Sequence, residues 1–202
     1  MLERREFLFD VQADGHHIEG RPIVYGSVTN LGDFDEVIEP GALNSTDLKD
    51  VRFLVNHNLS MIPLARSRRN NGNSTMQLTV DGDGLGIWVD LDTENNAEAR
   101  ALYSAVSRGD ISGMSFLFGV DAEEWTGLDT EHPTRHITSL STVVEVSAVS
   151  FPAYDDTSIE ARSKEALDSA RSALERARQQ KPVETGSELE LLKLKTELLG
   201  GF

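Results

Sequence analysis

The sequence predicts a mostly β core flanked by a few helices, an α+β fold with a helical C-terminal tail. Three observations predict it. Residues 1–157 break into short apolar runs rich in Val, Ile, Phe and Thr, set apart by Gly, Pro, Asn and Asp. Within that region, residues 96–108 carry apolar side chains at helical spacing. Residues 158–180 have no aromatic residue and little β-branching, and Ala, Leu, Glu and Arg dominate them.

In chain order, ERREFLFDV (3–11) and HIEGRPIVY (17–25) read as strands, with Asp14-Gly15 as the turn between them. Pro40 opens a short helix predicted near 40–48. VRFLVNHN (51–58) is a strand that ends in His57. Residues 75–92 form a hairpin around the glycine-rich DGDGLG. In the helix at 96–108, Ala97, Ala101, Leu102, Ala105 and Val106 share a face, and Gly109 stops it. GMSFLF is the next strand. Residues 120–137 are polar and carry Gly127 and Pro133, so they read as a loop or a hairpin with a long tip. TSLSTVVEVSAVSF (138–151) is a β-branched strand that Pro152 ends. A helix with a thin Ala/Leu stripe follows at 158–180, then a linker at 181–187 and a short helix at 187–199. The expected division is a folded domain at 1–157 and an appendage at 158–202, whose weak stripe needs a partner to hold it.

Composition narrows the function. Residues 161–202 hold eight of the 19 basic and seven of the 34 acidic residues, which leaves a net charge of −16 on residues 1–160. Such a surface repels a phosphate backbone, so nucleic acid is not an expected partner. The chain has no cysteine, which excludes disulfides, thiol catalysis and cysteine-ligated metals and suits a reducing cytoplasm. No apolar run reaches membrane-spanning length, and the start MLERREFLFD lacks the apolar stretch of a secretory signal. His16-His17 and the pair His132/His136 are not completed into a metal site by any carboxylate spacing, and DGDGLG lacks the spacing of a calcium loop. No cofactor or metal is expected.

Three residues could carry chemistry. Ser115 sits inside an apolar run, two residues after Gly113. His57 follows an apolar strand. Glu145 shares a strand face with Val143, Ser147 and Val149. A serine hydroxyl needs a base to take its proton as it attacks a carbonyl, and a histidine base needs a third group to orient it and offset its charge. Each residue also has a plainer reading: a core serine, a structural strand-end histidine, a solvent-facing edge glutamate. The residues taken singly leave both open.

Taken together, RPIVYGSV with IEPGAL, VRFLVNHNLSMIPLAR, SRGDISGMSFLFGV and VVEVSAVSFPAYDDT, in this order over residues 3–157, resemble the tailed-phage prohead proteases. These are capsid-maturation serine proteases related to herpesvirus assemblin. The resemblance implies an assemblin-like small β-barrel and a serine endopeptidase that works through an acyl-enzyme. It implies the nucleophile at Ser115, the base at His57 and the acidic member at Glu145. Assemblin uses a second histidine, so His136 ranks next for the third role, ahead of His132. Asn58 and Leu117 stand where the family commonly has Asp and Gly.

The implied substrates are the major capsid protein with its scaffolding segment, and the protease itself. The implied place is the interior of the prohead in the host bacterial cytoplasm, and a homodimer is compatible. Arg66, Arg68 and Arg69 and the backbone near Ser115 are candidate oxyanion donors. The tail at 158–202 is expected to dock on capsid or scaffolding protein. The rival class is a non-enzymatic capsid assembly scaffold, which would not need His57, Ser115 and Glu145 to meet.

Overall fold

Two long strands organise the chain. In the computed structural model, which describes residues 2–8, 12–14, 16–150 and 164–180, these are β10 (Gly113–Thr126) and β11 (Thr134–Val149). The other strands are β1 (Leu2–Leu8), β2 (Gln12–Asp14), β3 (His17–Val24), β4 (Val28–Asn30), β5 (Asp35–Ile38), β6 (Asp50–Val55), β7 (Ala65–Arg68), β8 (Met76–Asp81) and β9 (Gly84–Asp90). The helices are α1 (Ala97–Ser107) and α2 (Lys164–Gln180).

A seven-stranded sheet runs β1-β10-β11-β5-β4, with β6 also paired to β11 and β7 paired to β6. β5 and β6 are both parallel to β11. β5 pairs with Thr134–Ile137 and β6 with Glu145–Ala148, so β11 has successive partners along its length. A second, four-stranded sheet runs β2-β3-β9-β8. The mostly β expectation holds, but the described strands form two sheets and no closed barrel. The β10–β11 pair carries four register shifts between Leu117 and Glu123, and an extra residue in one strand bends a ladder locally. Gly119 lies at one of them, and a Cβ there would come within 2.4 Å of Ser141 Oγ.

The core follows from alternation. Phe116 and Phe118 of β10, Val146 and Ala148 of β11 and Phe53 of β6 are all buried. Burying a Val or Phe side chain contributes about 1.5–3 kcal/mol.

Two local expectations change, at residues 40–46 and on the face of α1, and one stated alternative is decided. Residues 40–46 form successive turns rather than a helix, with Ala42, Asn44 and Thr46 N–H groups bonding the carbonyls three residues earlier. Gly41 at φ 87° takes the chain out of helical conformation. Of the two readings offered for residues 120–137, the hairpin is the one found, its strands reaching Thr126 and resuming at Thr134, because strand pairing overrides the polar composition. α1 is capped by Asn96, whose side chain accepts from Glu98 N and Ala99 N. Its buried face is Ala99, Leu102 and Val106, which leaves Ala97 and Ala101 exposed and Ala105 half-buried.

α2 has its partner within the chain. Ala170 and Leu174 pack with Leu31 and Phe34, flanked by Trp125 and Leu128. Arg171 Nε donates to Asp33 at 2.6 Å. The predicted linker at 181–187 and helix at 187–199 lie outside the described residues.

Candidate active site

β6 delivers His57. Val51, Phe53 and Leu54 are buried where β6 runs beside β11. The chain then turns through two left-handed residues, Asn56 (φ 50°) and His57 (φ 56°). That conformation costs about 1–2 kcal/mol per non-glycine residue, so the surroundings must hold it. Asn56 N donates to Ala148 O at 3.0 Å. The Asn56 amide accepts from Ser150 N at 2.9 Å and donates to Ser150 Oγ at 3.1 Å. Asn58 N closes the turn onto Val55 O at 3.1 Å. These bonds tie the histidine turn to the end of β11.

Glu145 is fully buried in the middle of the sheet, in register with Arg52 of β6 and Leu117 of β10. A carboxylate there is tolerable only with donors on its oxygens. Oε1 lies 2.6 Å from His57 Nδ1. Oε2 accepts from Ser147 Oγ at 2.6 Å. The Ser147 hydroxyl in turn accepts from His57 N at 3.1 Å. The ring of contacts fixes the imidazole at both its backbone and its side chain. Because an ionised carboxylate only accepts, Nδ1 carries the proton, which makes Nε2 the atom for proton transfer.

Ser115 lies one strand over, directly opposite Ser147 in the antiparallel β10–β11 register. Side chains so paired have Cβ atoms about 4.5–5.5 Å apart. In this structure the Ser115 hydroxyl donates to Arg5 O of β1 at 2.5 Å. A hydroxyl has one proton, so it points at β1 rather than giving that proton to the imidazole.

The remaining candidates lie elsewhere. His136 is nine residues from Glu145 along β11, roughly 30 Å at a strand's rise. It contacts Glu39 Oε1 through Nδ1 at 2.6 Å and Thr126 Oγ1 through Nε2 at 3.0 Å. His132 Nε2 lies 2.9 Å from Asp35. The Arg66 guanidinium is held by both oxygens of Asp50 at 2.5 and 2.6 Å, and this holds the Asp50 carboxyl below its usual range. Sequence reasoning did not assign Ser147 a role. The signal was its place two residues from Glu145, on the same face of the strand.

A family profile for caudovirus prohead serine proteases matches residues 4–171. The chain belongs to this family. The match takes in His57, Ser115 and Glu145 and reaches into α2. Among solved structures, that of the capsid assembly protease gp21 of bacteriophage T4 is similar at 11% identity, with a TM-score of 0.40, over 74% of this chain and 96% of that one. No curated protein matches the chain significantly. Elsewhere on this prohead protease, Asp90 adds to His16 and His17 the carboxylate that local spacing could not supply, with ligand-type atoms within 4.8 Å of one another. No described helix is long and apolar enough to cross a membrane.

Proposed function

We propose that this family member hydrolyses peptide bonds with Ser115 as nucleophile, His57 as base and then acid, and Glu145 as the group that orients and charge-balances His57. The observation that carries this reading is the 2.6 Å contact between His57 Nδ1 and the buried Glu145, with Ser115 on the neighbouring strand. For reaction, the Ser115 hydroxyl leaves Arg5 O and turns about χ1 toward His57. Its oxygen attacks the substrate carbonyl as its proton passes to His57 Nε2. The tetrahedral intermediate collapses to an acyl-enzyme, and the amine leaves with that proton. Water, activated by the same nitrogen, then releases the acid and restores the serine.

The substrates in this reading are capsid-shell subunits bearing a scaffolding segment, and the protease itself, inside the prohead. Family membership supports the class of substrate. Cutting away such a segment would commit the shell to maturation.

Intact-mass spectrometry tests the chemistry. The full chain and its Ser115→Ala variant are each incubated alone and with the cognate capsid protein. Fragments from the parent chain and none from the variant are expected. Equal cutting by both would show that Ser115 is not the nucleophile.

A further inference from the structure

Beside the His57 turn lies an open cavity of about 430 Å³, within the range of ligand sites. One wall is the end of β6 and the loop after it, with Val55 and Met61. The other is α1 and the chain that follows, with Leu102, Ala105 and Ile111. Asn56 and Asn58, the neighbours of His57, both line it. Glu98 is the one charged side chain among the described lining residues.

Two further features mark this space as built for an occupant. The apolar stripe of α1 is wider than the face the fold buries: Ala101 and Ala105 open onto the cavity, where larger side chains would have filled it. The loop after His57 also keeps apolar groups in water, with Leu59 60% and Ile62 83% exposed. Such groups in one short loop beside a cavity mark a contact surface.

We propose that this cavity is a substrate subsite that takes a large apolar side chain, of the Leu, Ile, Met or Phe type, from an extended polypeptide lying across His57. This rests on the protease reading above and adds the substrate preference to it. The occupant is a polypeptide because Asn56 and Asn58 flank the base and line the cavity, so a group seated there belongs to a chain whose reacting bond is close by. Its side chain is apolar because the walls are mainly aliphatic. Acidic side chains are disfavoured by Glu98 and by the negative charge of residues 1–160. Leu59 and Ile62 then cover adjoining parts of the same substrate strand.

The test is a cleavage profile. The full chain, its Ala105→Phe variant and its Ser115→Ala variant are each incubated with a peptide mixture from denatured proteins, and the products are sequenced by mass spectrometry. Position 105 is half-buried on α1, and thermal melting checks that the variant folds; Ala101→Leu, at an exposed position, is the second filling variant. The parent chain is expected to show large apolar residues enriched at one fixed position relative to the cut. The filled variants should lose about 10-fold or more in kcat/KM on those peptides, mainly through KM, and shift toward Ala or Gly at that position. Cutting by the parent without apolar enrichment, or a profile unchanged in folded filled variants, would overturn the subsite and leave the protease reading standing. No Ser115-dependent cutting at all would remove both.

Discussion

The central sheet carries two buried clusters of charged and polar side chains, one on each face of β10, and they behave differently. Glu3, Arg5, Glu36 and Arg135, all buried, form a network with the half-exposed Glu123 beside Phe116 and Phe118. Arg135 bonds all three carboxylates, and Arg5 bonds Glu3 and Glu36. Burial alone would disfavour the charge on Arg135, but Glu3, Glu36 and Glu123 outweigh it and raise its pKa. Neither arginine changes charge near neutral pH.

The other cluster, Glu145, His57 and Ser147, has an imidazole held by a carboxylate, a left-handed backbone and an adjoining cavity. Burial and charge are common to both. Chemistry is expected where a proton can move, where the backbone is held in a costly conformation and where a substrate can enter.

Substitutions can sharpen that contrast. The largest effect is expected for Ser115→Ala, with cleavage falling about 10⁴-fold or more while the melting temperature stays close to that of the parent. A folded variant that keeps cutting would sink the assignment. Glu145→Gln preserves shape but removes the negative charge and turns one acceptor oxygen into an N–H donor, so His57 is no longer charge-balanced or held in one tautomer. Its turnover should drop on the order of 10³–10⁴-fold, measured with whichever peptide the cleavage profile identifies.

In the network, Arg135→Met removes one of two buried cations: Glu3 and Glu36 keep Arg5 alone, and Glu123 loses its guanidinium. It should lower unfolding free energy by about 3–5 kcal/mol, read from urea denaturation. A small change there would mean that water already reaches the carboxylates. Ser147→Ala removes one donor from Glu145 and one acceptor from His57 N. A stability loss of about 1–3 kcal/mol is expected, with a lower kcat and little change in KM as the mark of a positioning role.

The mildest test is acid. Burial raises the pKa of Glu3, but its bonds to Arg135 and Arg5 outweigh that and hold it below 4.5. A folded-state pKa below the unfolded one gives stabilisation that is complete above about pH 4.5 and fades as pH falls through the folded value. The urea midpoint should therefore decline below about pH 4.5, and by less in Glu3→Gln. An equal decline in both would assign acid sensitivity to other carboxylates.

Much of the fold was legible because it rests on local signals. Asn96 and Gly109 bracket α1, and the β-branched run at 138–149 lies within β11. The polar strand ends at 120–126 and 134–137 were legible only as one of two alternatives, because the pairing with β5 that fixes them comes from distant residues. At the site, residue type singled out His57 and Glu145. The likeness to assemblin, not residue type, ranked His136 next, and the structure places it beside Glu39 and Thr126 at the other end of β11.

What the sequence determined by itself is the set of short-range choices: alternation, caps, turns, an acidic body and the chemical types of the three candidate site residues. What only the tertiary structure decided is which of those residues share a space. Residues 57 and 145 meet because β6 lies parallel to β11 in one register, and a slip of one residue would turn Glu145 to the opposite face. The hydroxyl of Ser115 aims at Arg5 O because β1 pairs on the far side of β10. Ala101 and Ala105 border a cavity because packing buried a narrower face of α1 than its pattern offered. Register and packing are long-range properties, set by the free energy of the whole core rather than by any local stretch of chain.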